Sequence, residues 1–370
     1  MGGSVGPSTG SWRTPRLHLQ GVVLPDGEHH DLWIVDGLIR TEPVPDAETV
    51  ATGVWLLPGL VDAHCHVGLE SEGAVPPDRA EEHALADRAA GALLLRDAGS
   101  PTDTRWMDER EDLPRIIRAG RHIARPKRYL PNYAAEVEPE DLVAEVERQA
   151  TRGDGWVKLV GDWIDREIGD LAPLWPVEVA GAGIARAHEL GCRVTAHVFG
   201  EQALAELVEA GIDGIEHGTG LSEDMTALMA DRQVALVPTM VQLENFESYA
   251  QAGEARFPAY AKHMRSLYAT RIERFAAARE AGVPIYAGTD AGGYLPHGLV
   301  GAEIAALAEF SSAEYALGAG SWRARSWLGR PDGLVEGVPA DLVAFDADPR
   351  QDLGVLRHPV RVVLRGVVVQ

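Results

Sequence analysis

Leu57-Pro58-Gly59-Leu60-Val61-Asp62-Ala63-His64-Cys65-His66 is the stretch on which the fold turns. A Pro-Gly pair opens it, an apolar run follows, and two histidines close it. In an extended chain residues i and i+2 face the same side, so His64 and His66 project together from one strand end. Outward from this stretch the same plan recurs. Short apolar runs at 92–96, 114–118, 156–160, 193–196, 214–215, 234–239 and 284–287 alternate with segments whose apolar residues recur at helical spacing, at 139–151, 176–190, 201–210, 222–231 and 259–281. Several of the latter stop at a glycine, Gly191, Gly211 or Gly282, where a left-handed residue ends a helix. Strands alternating with helices announce a parallel sheet with crossovers, and eight such strands, 57–63 included, predict an α/β fold of the (β/α)8 TIM-barrel type.

The flanks differ in kind. Residues 16–56 hold β-like runs at 17–24, 31–35 and 50–55, separated by Pro25-Asp26-Gly27 and Asp36-Gly37 turns, and the far end mirrors them at 341–345 and 360–369. A small β-sandwich domain assembled from both termini, 12–57 plus 335–370, is expected to flank a barrel over 58–334. Residues 1–11 are Gly/Ser-rich, lack the cationic start and apolar centre of a signal peptide, and read as a disordered tail.

Composition narrows the partners. A formal charge of −22 repels nucleic-acid phosphates. No run approaches the roughly 18 apolar residues of a membrane span. Cys65 and Cys192 form neither a disulfide framework nor a Cys-x-x-Cys motif, which fits a reducing cytoplasm. The expected partner is a small-molecule substrate, with neither nucleic acid nor membrane.

Lysine is rare, three residues among 34 basic ones, yet Lys158 sits inside the apolar run Gly155-Trp156-Val157-Lys158-Leu159-Val160-Gly161. A lone buried charge costs several kcal/mol unless something pairs with it, so Lys158 is a candidate site residue. His197 follows Val194-Thr195-Ala196, His217 follows Gly214-Ile215-Glu216, and Asp290 follows Ala287-Gly288-Thr289. Singly, a histidine after a strand is more often a hydrogen-bonded structural residue, Asp290 could cap a turn, and Lys158 could be a buried ion-pair partner. Jointly, six such residues at the carboxyl ends of successive strands point to one shared metal site.

The stretch 58–66 resembles the first-strand signature of the metal-dependent amidohydrolase superfamily. Val157-Lys158 is similar to its fourth-strand lysine, Ala196-His197 and Ile215-Glu216-His217-Gly218 to its fifth- and sixth-strand histidines, and Ala287-Gly288-Thr289-Asp290 to its eighth-strand aspartate. Gly337-Val338-Pro339-Ala340-Asp341-Leu342-Val343 resembles the return into the family's β-sandwich, so the likeness spans nearly the whole chain. The imidazolonepropionase-like and Xaa-Pro or Xaa-Arg dipeptidase-like branch is nearest.

The resemblance implies two divalent metal ions, zinc in most members, and carbon dioxide held as a carbamate on Lys158. His64, His66 and Asp290 would hold one ion and His197 and His217 the other. A metal-bridging hydroxide would attack a C–N amide bond of an N-acyl amino acid, dipeptide or cyclic amide, with Asp290 as general base and then general acid. Relatives are often homo-oligomers. A lactone or phosphoester hydrolase on the same site, a mononuclear deaminase, and a non-catalytic scaffold are the alternatives. The family's dipeptidases carry Gly-Gly-His after the third strand, where this chain has Arg128-Tyr129-Leu130-Pro131-Asn132-Tyr133, which argues against prolidase activity. Its deaminases carry His-x-x-Glu at the fifth strand, whereas Glu201 stands four residues after His197.

For substrate, the long segment 121–137 is expected to roof the pocket with His122, Tyr129 and Tyr133. Its cations Lys127 and Arg128 could receive a carboxylate, although a solvated face is the plainer reading. His297 in Tyr294-Leu295-Pro296-His297-Gly298, Gln242, Asn245, Asp162 and Trp163 are further pocket candidates. Cys65 should point away from the metals.

Overall fold

A computed structural model describes residues 15–370. The tail expected over 1–11, and residues 12–14 of the expected small domain, lie outside the described residues. The strands run in chain order β1 Leu17–Val23, β2 Glu28–Val35, β3 Leu38–Arg40, β4 Glu48–Pro58, β5 Leu60–Glu70, β6 Gly73–Ala74 and β7 Ala92–Asp97. They continue with β8 Arg115–Arg118, β9 Ile123–Ala124, β10 Ala135–Glu136, β11 Trp156–Val160, β12 Asp162–Asp165, β13 Asp170–Pro173, β14 Arg193–Val198, β15 Gly214–His217 and β16 Ala235–Val237. β17 Ala291–Gly293, β18 Leu342–Phe345, β19 Arg361–Leu364 and β20 Val367–Val368 complete the set.

Strands from both ends of the sequence share one sheet of seven, ordered β20-β19-β18-β4-β1-β2-β3. Leu19, Ile34, Leu56 and Leu342 form its own apolar cluster. The segment between supplies an α/β arrangement. β10-β9-β11-β14-β15-β16 form a half-barrel of parallel strands, and β17-β5-β7-β8 a second sheet with β6 hooked onto β5. Backbone bonds join these two sheets through residues 284–287. Leu236 N–H donates to Pro284 O at 2.8 Å, Tyr286 N–H to Leu236 O at 3.0 Å, and Ala63 N–H to Ala287 O at 2.8 Å.

Alternation along the inner strands explains their apolar sequences. Val61 and Leu94 pack inward with Trp156 and Val237, while their neighbours Leu60, Leu93 and Leu95 pack outward against helices. Strands buried on both faces read as continuous apolar runs. The crossover helices Leu142–Arg152, Val177–Glu189, Glu201–Glu209, Glu223–Arg232 and Pro258–Ala281 lie within three residues of their expected bounds.

Two expectations change. The strand expected over 57–63 is two strands meeting at Gly59, and β5 runs on to Glu70. His64 and His66 are therefore strand residues, held by the pairing of Cys65 with Ala291 of β17. The expected eighth strand is mostly irregular, keeping a single bridge between Leu236 and Ile285, because Gly288 follows at once and must approach β5 closely. A Cβ on Gly288 would stand 2.6 Å from His64 Cβ, tighter than packed atoms tolerate.

Candidate active site

The strands deliver their last side chains to one point. His64 Nε2 lies 3.2 Å from His66 Nε2, and Asp290 Oδ1 lies 3.1 and 3.0 Å from those two nitrogens. His197 Nδ1 and His217 Nε2 stand 2.9 Å apart, the His64 and His217 rings have centroids 5.4 Å apart, and Lys158 Nζ is 3.4 Å from His64 Nε2. All six sequence candidates for metal binding thus meet, and ligand atoms of His64, His66 and Asp290 fall within 4.8 Å of one another.

Neighbouring groups set the orientation of these rings. His66 Nδ1 is 2.6 Å from the Gly99 carbonyl, which can only accept, so Nδ1 carries the proton and Nε2 presents a bare lone pair to the centre. Thr239 Oγ1 meets His217 Nδ1 at 2.7 Å. Asp62 accepts from the backbone N–H of His64 and Thr289 at 3.1 and 3.0 Å and from Thr289 Oγ1 at 2.6 Å, tying the first ligand strand to the turn that carries Asp290. His217, Thr239 and Asp290 all adopt positive φ, 67°, 51° and 58°, a costly conformation for residues with a Cβ and one that collects at functional sites.

The electrostatics suit a cation. Burial pushes His217 down to about 3 and His197 and His66 below the usual histidine range, so these rings are neutral, the form in which imidazole binds metal. Burial alone would raise Asp290, yet His64, His66 and His217 hold its carboxylate well below its ordinary value. Burial pushes Lys158 down to about 8, which gives it a share of neutral amine near that pH. Under this layer Glu216 is fully buried with Arg96 at 2.5 Å and Thr195 Oγ1 at 2.5 Å. His64 Nδ1 lies 2.7 Å from Glu216 Oε2 without hydrogen-bond alignment. Bare imidazole nitrogens and a carboxylate converging at about 3 Å repel one another unless a proton or a metal ion stands among them, so the donor set fits divalent metal.

His66, His197 and Asp290 form the inner end of a cavity of about 260 Å³. Tyr129, Leu130 and Tyr133 of the long 121–137 segment, with Trp163 of β12, make one wall. Leu69, Phe199, Gln242, Tyr249, Tyr260 and Tyr294, with the small residues Ala252, Gly292 and Gly293, make the rest. Sequence reasoning found Tyr129, Tyr133, Trp163 and Gln242. It missed Phe199, Tyr249, Tyr260 and Tyr294, which stand in four separate loops or helix starts with no spacing to connect them.

Several candidates are placed elsewhere. His297 is not on the cavity: its Nδ1 pairs with buried Asp87 at 2.7 Å and its ring stacks on His83. His122 sits behind His66, with Nδ1 3.2 Å from the Gly99 carbonyl. Asp162 accepts from the Phe199 and Gly200 amides, fixing the loop after His197, and Asn245 reaches Gln242 Oε1 at 2.8 Å. Arg128 binds Asp165 at 2.8 Å, and Lys127 is exposed. Glu201 binds His263 at 2.9 Å, outside the cavity lining. Cys65 faces the Arg96 carbonyl, and burial pushes its thiol well up.

Residues 55–369 match the description of the Amidohydrolase family. The chain belongs to the amidohydrolase family. A Mycobacterium tuberculosis protein described as uncharacterized is 60% identical to this amidohydrolase over 356 residues, 96% of each chain. A putative prolidase from Bifidobacterium longum superposes with a TM-score of 0.82 at 22% identity, over 96% of this chain and 95% of that one. Ochratoxinase of Aspergillus niger superposes at 0.77 with 19% identity over 96% of each. These two structures share the amidohydrolase fold.

Proposed function

We propose that this amidohydrolase hydrolyses a C–N amide bond of a small molecule at a pair of divalent metal ions. The observation that carries the reading is the convergence of His64, His66 and Asp290 on one point, beside Lys158 and the His197–His217 pair. His64, His66 and Asp290 would hold one ion, His197 and His217 the other. The neutral Lys158 amine would bond to the carbon of carbon dioxide and lose a proton, giving a carbamate that serves as a further anionic ligand. When bound, the ions polarise the amide carbonyl and lower the pKa of water toward about 7.

Asp290 takes the proton of the attacking water, for which its low-lying carboxylate is already ionised, and later passes that proton to the leaving nitrogen. His66, locked by Gly99, and His64, held by Asp62 through its backbone, keep Asp290 Oδ1 in place for both transfers. We also read the parallel strands as a closed (β/α)8 barrel and the terminal strands as a β-sandwich. The bonds of residues 284–287 to both sheets support the first reading. Metals per chain, measured by plasma mass spectrometry on protein grown with zinc and bicarbonate, test the site. About two per wild-type chain, falling in Lys158→Ala, is the expected result. One per chain in both would make Lys158 structural.

A further inference from the structure

We infer that the substrate is an uncharged amide carrying a flat aromatic group, and that the cavity rejects the free carboxylate of a dipeptide or N-acyl amino acid. The inference rests on the hydrolytic reading of the site and narrows it. Beyond the metal-ligand residues, no lysine or arginine lines the cavity among the described residues. Of the cations nearest in sequence, Lys127 is exposed outside the lining and the two arginines flanking the wall segment are engaged. Arg121 donates to the carbonyls of Tyr133 at 2.8 Å and Asn132 at 2.9 Å, and Arg128 to Asp165 at 2.8 Å and the Ala172 carbonyl at 3.3 Å. A carboxylate entering this space would be desolvated without a partner cation, among the most costly burials available to a ligand.

What the walls offer instead is aromatic surface and neutral O–H groups. Tyr129 and Trp163 meet edge to face with centroids 4.9 Å apart, and Trp163 lies 5.5 Å from the ligand ring His197, a frame for one more ring. Tyr133 is buried and its hydroxyl has no partner. Tyr249 accepts from Gln242 at 2.8 Å, which leaves its own proton to give. Two neutral donors can serve a carbonyl, urea or ether oxygen, and neither compensates a full negative charge. At about 260 Å³ the cavity holds about nine water-sized groups, the scale of one aromatic ring and an amide.

Calorimetric titration of the metal-free protein with N-benzoylglycinamide and with N-benzoylglycine, which differ only in the charged end, reads the preference apart from metal ligation. The neutral compound is expected to bind about 100-fold tighter, the size of effect an unpaired buried charge produces. Leu130→Arg, which places a cation in the wall, should reverse the order. Equal or tighter binding of the carboxylate by the wild type, or binding of neither compound, overturns the inference. The zinc-loaded protein is then assayed on the same pair. Selective binding of the neutral compound without hydrolysis would keep the inference and sink the hydrolytic reading. Hydrolysis of both compounds at equal kcat/KM would do the opposite.

Discussion

The inner end of the cavity and its outer wall are built on opposite principles. His64, His66, Lys158, His197 and His217 all stand within strands β5, β11, β14 and β15, where ladder bonds fix each Cα, and Asp290 follows directly on the segment bonded to both sheets. The wall residues Tyr129, Tyr249 and Tyr294 come from connections or a short helix, and of their hydroxyls Tyr249 is tied down by a hydrogen bond from Gln242. Chemistry that needs sub-ångström placement is on the rigid element, and recognition is on the part that can be exchanged.

That contrast breaks if damage at the inner end proves mild or damage at the wall proves catastrophic. Asp290→Asn should lower kcat/KM by at least about 1000-fold and reduce bound metal, as read by steady-state kinetics and metal analysis, because on the proposed mechanism it removes a ligand and the proton acceptor together. A tenfold loss would mean that another base serves. Glu216→Gln strips the anion from Arg96 beneath the site and should cost about 3 kcal/mol in urea unfolding. No change would show that Arg96 finds another partner. Trp163→Ala should raise KM about tenfold with kcat nearly unchanged, which separates wall from catalytic end. An equal fall in kcat would place Trp163 with the catalytic groups.

The smallest effect lies outside the cavity lining, where hydrogen bonds to Glu201 and Asp170 raise His263 to about 9. Since the folded value exceeds the ordinary 6.5, this stabilisation is complete below about pH 6.5 and fades as pH rises through 9. Discounted for partial exposure it amounts to about 1 kcal/mol. His263→Gln should flatten the fall in Tm between pH 6 and 9, and an unchanged slope would assign the titration elsewhere.

Legibility follows the same divide. His64 and His66 could be paired because a strand repeats every two residues, and Lys158 stood out as a charge in an apolar run. Glu216 escaped notice: strand alternation would turn it away from its neighbour His217, but the positive φ of His217 lets both lie against His64, and Glu216 reaches across to Arg96, a partner 120 residues away. The segment 284–287 read as a strand by its apolar content, but its ladder is cut short by the approach of Gly288 to β5. The aromatic wall had no period to read, since loops converge only after the strands have placed their ends. The same convergence explains His297, whose neighbour Asp87 lies on a helix 210 residues earlier.

The joint at Gly59 carries a consequence for the timetable of synthesis. β4 and β5 are one nearly continuous ribbon, and β4 is paired along Trp55–Pro58 by residues 342–345, with the Gly59 amide bonded to the Asp341 carbonyl at 2.9 Å. A ribosome makes the first metal-ligand strand early and its outer support nearly 280 residues later, so β4 waits with that edge open while the intervening helices and strands emerge. A nascent chain stalled before residue 340 would hold all six candidate metal-site residues while β4 still lacked its antiparallel partner along Trp55–Pro58.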